Sequence, residues 1–120
     1  MNYAVIVYES EADFEARTNP ETVAEYMGAY QAYSQALAQA GIGRGGAGLL
    51  PPSTATSVRV RGGKRMLQDG PFIETKEQLG GFFLIEVPSL DEALQWAARC
   101  PAASRAGVEV RPVLPPPPGL

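Results

Sequence analysis

Gly80-Gly81-Phe82-Phe83-Leu84-Ile85-Glu86-Val87, followed at once by Pro88-Ser89-Leu90-Asp91-Glu92, decides the fold of this chain. The apolar run has the length and residue types of a central strand. Pro88 stops it, and Ser89 with Glu92 three residues later has the spacing of a capping box, which opens a helix. That helix carries Leu90, Ala93, Leu94, Trp96, Ala97 and Ala98 and runs up to Cys100 and Pro101. Beyond it Val108 to Val113 alternates, Val108 and Val110 inward and Glu109 and Arg111 outward, which closes a sheet.

The upstream half follows the same plan. Tyr3 to Tyr8 reads as a buried strand bounded by the acidic segment Glu9 to Glu15. Asn19 offers an N-cap, Pro20 the first helical position and Glu21 a first-turn carboxylate. Val23, Tyr26, Met27, Tyr30, Tyr33 and Leu37 then recur at helical spacing, and Gly41 is placed to end the helix. The tyrosines read as core packing, with Tyr30 or Tyr33 lining a cleft as the alternative. Ile42 to Leu50 is glycine-rich and reads as a bulged strand, because the Gly-Lys-Ser/Thr ending of a phosphate loop is missing. After Pro51 and Pro52, Ser57 to Arg61 alternates, Gly62-Gly63 supplies a hairpin turn, and Lys64 to Gln68 returns. The expected hairpin is half exposed, its solvent face carrying Arg59, Arg61, Lys64 and Arg65 as charges that guard an edge.

The order strand, helix, strand, inserted hairpin, strand, helix, strand predicts an α+β fold, a ferredoxin-like split β-α-β with helices on one face of a largely antiparallel sheet. In so small a chain the other face is most simply covered by a second copy, which predicts a homodimer. Residues 1–113 form the expected single domain, and 114–120 a proline-rich, extended tail.

Composition narrows function. A net charge of −3 on 120 residues argues against direct nucleic-acid binding. The N-terminus lacks a basic region and soon meets carboxylates, so neither a signal peptide nor a membrane span is expected. The single cysteine, Cys100, fits a reducing, cytoplasmic setting. The chain has no histidine, which removes Ser-His and Cys-His nucleophile pairs and leaves only Cys100 and carboxylates as metal ligands. No metal and no cofactor is expected, and acid–base chemistry falls to Asp, Glu, Lys or Tyr.

The densest group of such residues leads into the central strand: Asp69, Gly70, Pro71, Phe72, Ile73, Glu74, Thr75, Lys76, Glu77, Gln78, Leu79, Gly80, Gly81. Asp69-Gly70-Pro71 is first a turn. A buried Phe72 would pin it and set the Asp69 carboxylate at an apolar edge, where burial raises a carboxyl toward a useful base, while Lys76 would favour its charged form. Both readings stay open. Arg44 is a neighbouring candidate for an anionic group, so the candidate site comprises Asp69 as general base, with Arg44, Tyr30, Phe72, Glu74, Lys76 and Glu77 as ligand contacts.

With Gly45, Gly46, Gly48, Leu49, Pro51 and Pro52, the Asp69 to Gly81 run, Ala93 to Pro101 and the ending Val108 to Pro112, the chain from Tyr3 to Val113 resembles a DGPF-type member of the YCII-related family. The resemblance implies a dimeric α+β barrel and, as partner, an extracytoplasmic-function sigma factor. Related YCII proteins carry a His-Asp pair proposed as catalytic, of which only the aspartate maps here, onto Asp69; many members have an acidic residue where this chain has Ala47. Three functions compete: a module binding a small anionic ligand or regulating a partner through the signature, an isomerase or lyase using Asp69 as base, and a purely structural turn and dimer contact.

Overall fold

The apolar run lies in β5 (Glu77–Glu86), second in a four-stranded sheet of order β2-β5-β1-β6, with β1 at Asn2–Ser10, β2 at Gly43–Gly48 and β6 at Gly107–Pro112. Every pairing in it is antiparallel. This computed structural model describes residues 1–119 and adds three helices, α1 (Glu11–Ala16), α2 (Val23–Gln39) and α3 (Leu90–Ala98). A hairpin of β3 (Thr56–Arg61) and β4 (Lys64–Asp69) forms a separate two-stranded sheet. The protein is α+β, and the strand order of its main sheet is that of a ferredoxin-like split β-α-β with the hairpin inserted. Among the described residues no helix is long and apolar enough to cross a membrane.

Alternation along β1 builds the core. Tyr3, Val5 and Val7 point to the helices and meet Ile85, Tyr33, Leu37, Ala93 and Ala97. Val5 and Ile85 are fully buried, each stabilising the fold by about 1.5–3 kcal/mol relative to exposure. The opposite face of the sheet carries Ile6, Tyr8, Phe82 and Leu84, all only partly buried.

Helix ends follow the sequence unevenly. Gly41, at φ 71°, closes α2 in a Schellman motif, Ile42 N–H donating to Leu37 O at 3.2 Å and Gly41 N–H to Ala38 O at 3.0 Å. The start of α2 lies later than Asn19 predicts. The Asn19 side chain accepts from Glu21 N–H, and its carbonyl accepts from Thr22 and Val23, so Asn19-Pro20 forms a turn and the helix begins at Val23. The acidic segment expected to bound β1 instead supplies both the end of that strand and α1. Ser10 and Asp13 cap α1 reciprocally, Ser10 N–H to Asp13 Oδ2 at 2.9 Å and Asp13 N–H to Ser10 Oγ at 3.2 Å.

The hairpin has the predicted register, Arg61 opposite Lys64 across Gly62-Gly63 at φ 55° and 77°. It is not half exposed, however. Val58 and Val60, on its apolar face, are 49% and 63% exposed, for the hairpin forms a two-stranded sheet apart from the main one. The radius of gyration is 16.3 Å, against about 14 Å for a compact chain of this length, which an arm standing away from the body helps to account for.

Candidate functional site

The period-two pattern that buries Tyr3, Val5 and Val7 does not stop at Tyr8. It carries one residue further and turns Glu9 inward, so that an acidic side chain sits only 3% exposed at the end of an apolar stripe. A buried carboxylate needs partners, and the helices that follow β1 supply them. Tyr26, on the first exposed-to-buried turn of α2, donates its hydroxyl to Glu9 Oε2 at 2.5 Å. Arg17, the residue that ends α1, donates from Nη2 to Glu9 Oε1 at 2.8 Å and from Nε to the Tyr26 hydroxyl at 3.2 Å. Its Nη2 also reaches Gly80 O at 3.1 Å and its Nη1 the carbonyl of Leu49. Four of the five guanidinium N–H donors are thus occupied within the protein.

Glycines shape the wall around this cluster. Between Val7 and Tyr8 the β1–β5 register shifts by one residue and leaves Gly80 as an unpaired bulge, against which the Glu9 side chain lies. A Cβ on Gly80 would lie 2.6 Å from Glu9 Oε1, so the carboxylate occupies the space a side chain would take. A Cβ on Gly46 would meet Phe82 O at 2.3 Å, and one on Gly81 would meet Ala47 O at 2.6 Å, so bare backbone lets β2 and β5 close up. The result is a cleft of about 470 Å³ between this glycine wall and α2. Glu9 and Arg17 lie at one side, and Val7, Met27, Tyr30, Leu50 and Phe83 supply apolar surface. Tyr30 stacks on Phe83 with centroids 6.3 Å apart and planes at 10°, and leans on Tyr26 at 5.1 Å.

Burial or hydrogen bonding shifts Tyr26, its neighbour Tyr30 and Arg17 upward. Burial, and then the hydrogen bond to Glu9, push the Tyr26 phenol up to about 12 against the opposing pull of Arg17. Tyr30 is also raised, by burial first and by Glu9 and Tyr26 next. Burial alone would lower Arg17, but its hydrogen bonds to Glu9 and Tyr26 and the Glu9 charge raise it, so it stays charged. A second pair braces the same corner. Arg105 Nη1 lies 3.1 Å from Asp13 Oδ1 and its guanidinium 5.6 Å from the Tyr26 ring centroid. Burial would raise Asp13, yet the Ser10 backbone N–H and Arg105 hold it below the usual carboxylate range. Cys100 is buried and its thiol is pushed up to about 11, chiefly by that burial, which leaves it a packing residue.

The residues proposed from sequence are dispersed. Tyr30 lines the cleft. Arg44 does not; it sits on the outer edge, donating to Glu86 Oε2 at 3.2 Å and to the carbonyls of Gly41 and Gly43. Phe72 is 54% exposed rather than buried, because the arm beneath it has no core, and its ring instead carries Arg59 at 4.3 Å. The turn is pinned by backbone and hydroxyl bonds, Gly70 N–H to Ala55 O at 2.7 Å and Ser57 Oγ to Gly70 O at 2.7 Å. The Asp69 side chain lies exposed at the end of β4, and among the described residues no ion pair includes Asp69 or Lys76. Glu74 and Lys76 border an open depression with Glu11, Phe14, Pro71 and Gln78, while Lys76 and Glu77 also edge another with Tyr8 and Ser10. Sequence reading missed Glu9 and Arg17, although continued alternation past Tyr8 was the available signal for Glu9. Among the described residues no group of three or more Cys, Asp or Glu side chains is placed to hold a metal ion.

Comparison with known proteins identifies a family. Residues 1–116 match the family model of the YCII-related domain. An uncharacterised protein of Rhizobium meliloti (strain 1021) is 39% identical over 115 residues, covering 94% of this chain and 92% of that protein. With nearly its whole length matched, the chain belongs to the YCII-related domain family.

Proposed function

We propose that the protein binds a neutral, mainly apolar small molecule in the cleft between α2 and the glycine wall, as a binding or regulatory module. The observation that carries this reading is the pairing of Arg17: its charge is matched by Glu9 and four of its five donors are taken by Glu9, Tyr26 and two carbonyls, so the cleft offers no unpaired cation to an anion. Neither Arg44 nor Lys76 lines the cleft, so neither would offer its charge to a ligand held there. Aromatic and aliphatic side chains surround the space, which favours a flat apolar body, with the Tyr30 and Ser34 hydroxyls at hand for one or two hydrogen bonds. Within the family we place the chain in the DGPF group, on its Asp69-Gly70-Pro71-Phe72 run. We also infer a two-fold homodimer through the uncovered sheet face, a reading supported by the partly buried Ile6, Tyr8, Phe82 and Leu84.

The test compares 2-naphthol with 2-naphthoate at neutral pH, following the amide resonances of Gly46, Gly48 and Gly81. The neutral probe should shift these signals saturably and bind on the order of tenfold tighter, since the carboxylate must shed water without gaining a cation. Equal or tighter binding of 2-naphthoate, or shifts confined to the Lys76 region, would defeat the reading.

A further inference from the structure

The hairpin of β3 and β4 is poorly suited to stand alone. It is hydrogen-bonded to no other strand of the sheet, and an isolated two-stranded hairpin is marginally stable in water. Apolar side chains lie exposed on both its faces, and of its residues only Ser57, near its base, is buried. Val58, Val60 and Leu67 lie exposed on one, and Met66 on the other among Arg59, Arg61 and Lys64. Exposed apolar surface on both sides of a thin ribbon indicates an element that something embraces, or that itself embraces something.

Charge identifies the partner. Residues 56–69 hold four of the ten cations of the chain (Arg59, Arg61, Lys64, Arg65) and one of its thirteen carboxylates, Asp69, so the arm carries +3. The remaining six cations face twelve carboxylates, and the rest of the chain carries −6. A basic arm on an acidic body is complementary to a second copy of the same molecule, and a two-fold axis satisfies both arms at once. Within one molecule the complementarity goes unused: none of the four arm cations takes part in an ion pair among the described residues.

We propose that the β3–β4 arm of each protomer clasps the acidic body of a second copy, its basic residues against carboxylates and its apolar residues against the partner. The inference rests on the homodimer reading above and adds the arm to it. Once clasped, Val58, Val60 and Leu67 leave water, and the exposed ribbon becomes part of a larger folded unit.

Sedimentation of the full chain tests it, on the wild type and on R61E/K64E/R65E, which reverses the charge of the arm while leaving the Arg59–Phe72 stack in place. The wild type should sediment as a dimer whose dissociation constant rises with salt, and the variant should dissociate at least about tenfold more readily. Hydrogen exchange on the wild type gives an independent reading: amides of β3 and β4 should be slow in the dimer and fast on dilution. A variant that dimerises as tightly as wild type, with arm amides exchanging fast in both, would overturn the clasp and leave the sheet-face dimer standing. A wild type that stays monomeric at tens of micromolar would remove both readings. Monomers that bound duplex DNA through the arm would likewise overturn the clasp, in favour of a nucleic-acid contact.

Discussion

Two parts of the molecule are rich in ionisable side chains, and they behave in opposite ways. The segment Asp69 to Glu77 places four charged residues within nine positions, yet they are exposed and without an ion-pair partner among the described residues. Glu9, Arg17 and Tyr26 are spread over eighteen residues of sequence and converge into one buried, mutually bonded cluster. Proximity along the chain raised the first to prominence, and folding made the second. What separates them is the direction in which each side chain points: alternation in β1 sends Glu9 into the core, whereas β4 belongs to an arm with no core to point into.

The largest effect that sharpens this contrast comes from Glu9. Glu9→Ala removes one partner of a pair whose side chains are 3% and 13% exposed, leaving Arg17 charged and without its counter-ion. The expected loss is roughly 3–5 kcal/mol of unfolding free energy, because an uncompensated charge remains in a low-dielectric site. Urea unfolding read by Trp96 fluorescence would measure it. A loss no larger than that of an ordinary surface substitution would mean that the cluster opens to water and that the contrast is false.

Gly80→Ala comes next. Its Cβ would sit 2.6 Å from Glu9 Oε1, and Glu9 has little freedom to yield because both its oxygens are held, by Arg17 and Tyr26. Overpacking of this kind costs about 1–3 kcal/mol. The change should also weaken 2-naphthol binding, since relief of the clash moves Glu9 or the β5 bulge. An alanine that leaves both stability and binding intact would show the glycine wall to be looser than its spacing implies.

Much of the fold was legible in the sequence because local rules agreed with tertiary demand: the Schellman end at Gly41, the Gly62-Gly63 turn and the bulge in the glycine-rich β2 formed as read, and of the capping box expected at Ser89 the N-cap half formed, Glu92 N–H donating to Ser89 Oγ. Glu9 was legible only to a reader willing to continue a buried stripe through an acidic residue, against the usual preference of carboxylates for water. Arg17 was not legible at all. Its role depends on Leu49 and Gly80, 32 and 63 residues away, arriving at one guanidinium. Phe72 misled for the converse reason: an aromatic beside a turn is ordinarily an anchor, but here the ribbon under it offers Arg59 and no apolar core.

The smallest expected effect is the most discriminating. Asp69→Asn removes a charge that sits exposed at the end of β4, so stability should change by no more than about 0.5 kcal/mol either way. Binding of 2-naphthol should not change, because neither Asp69 nor any residue from Pro71 to Gln78 lines the cleft. If the change instead weakened binding while unfolding stayed the same, the loop would have to close over the cleft when ligand arrives. The two charged regions would then act as one site, and the arm would be the element that carries the loop into place.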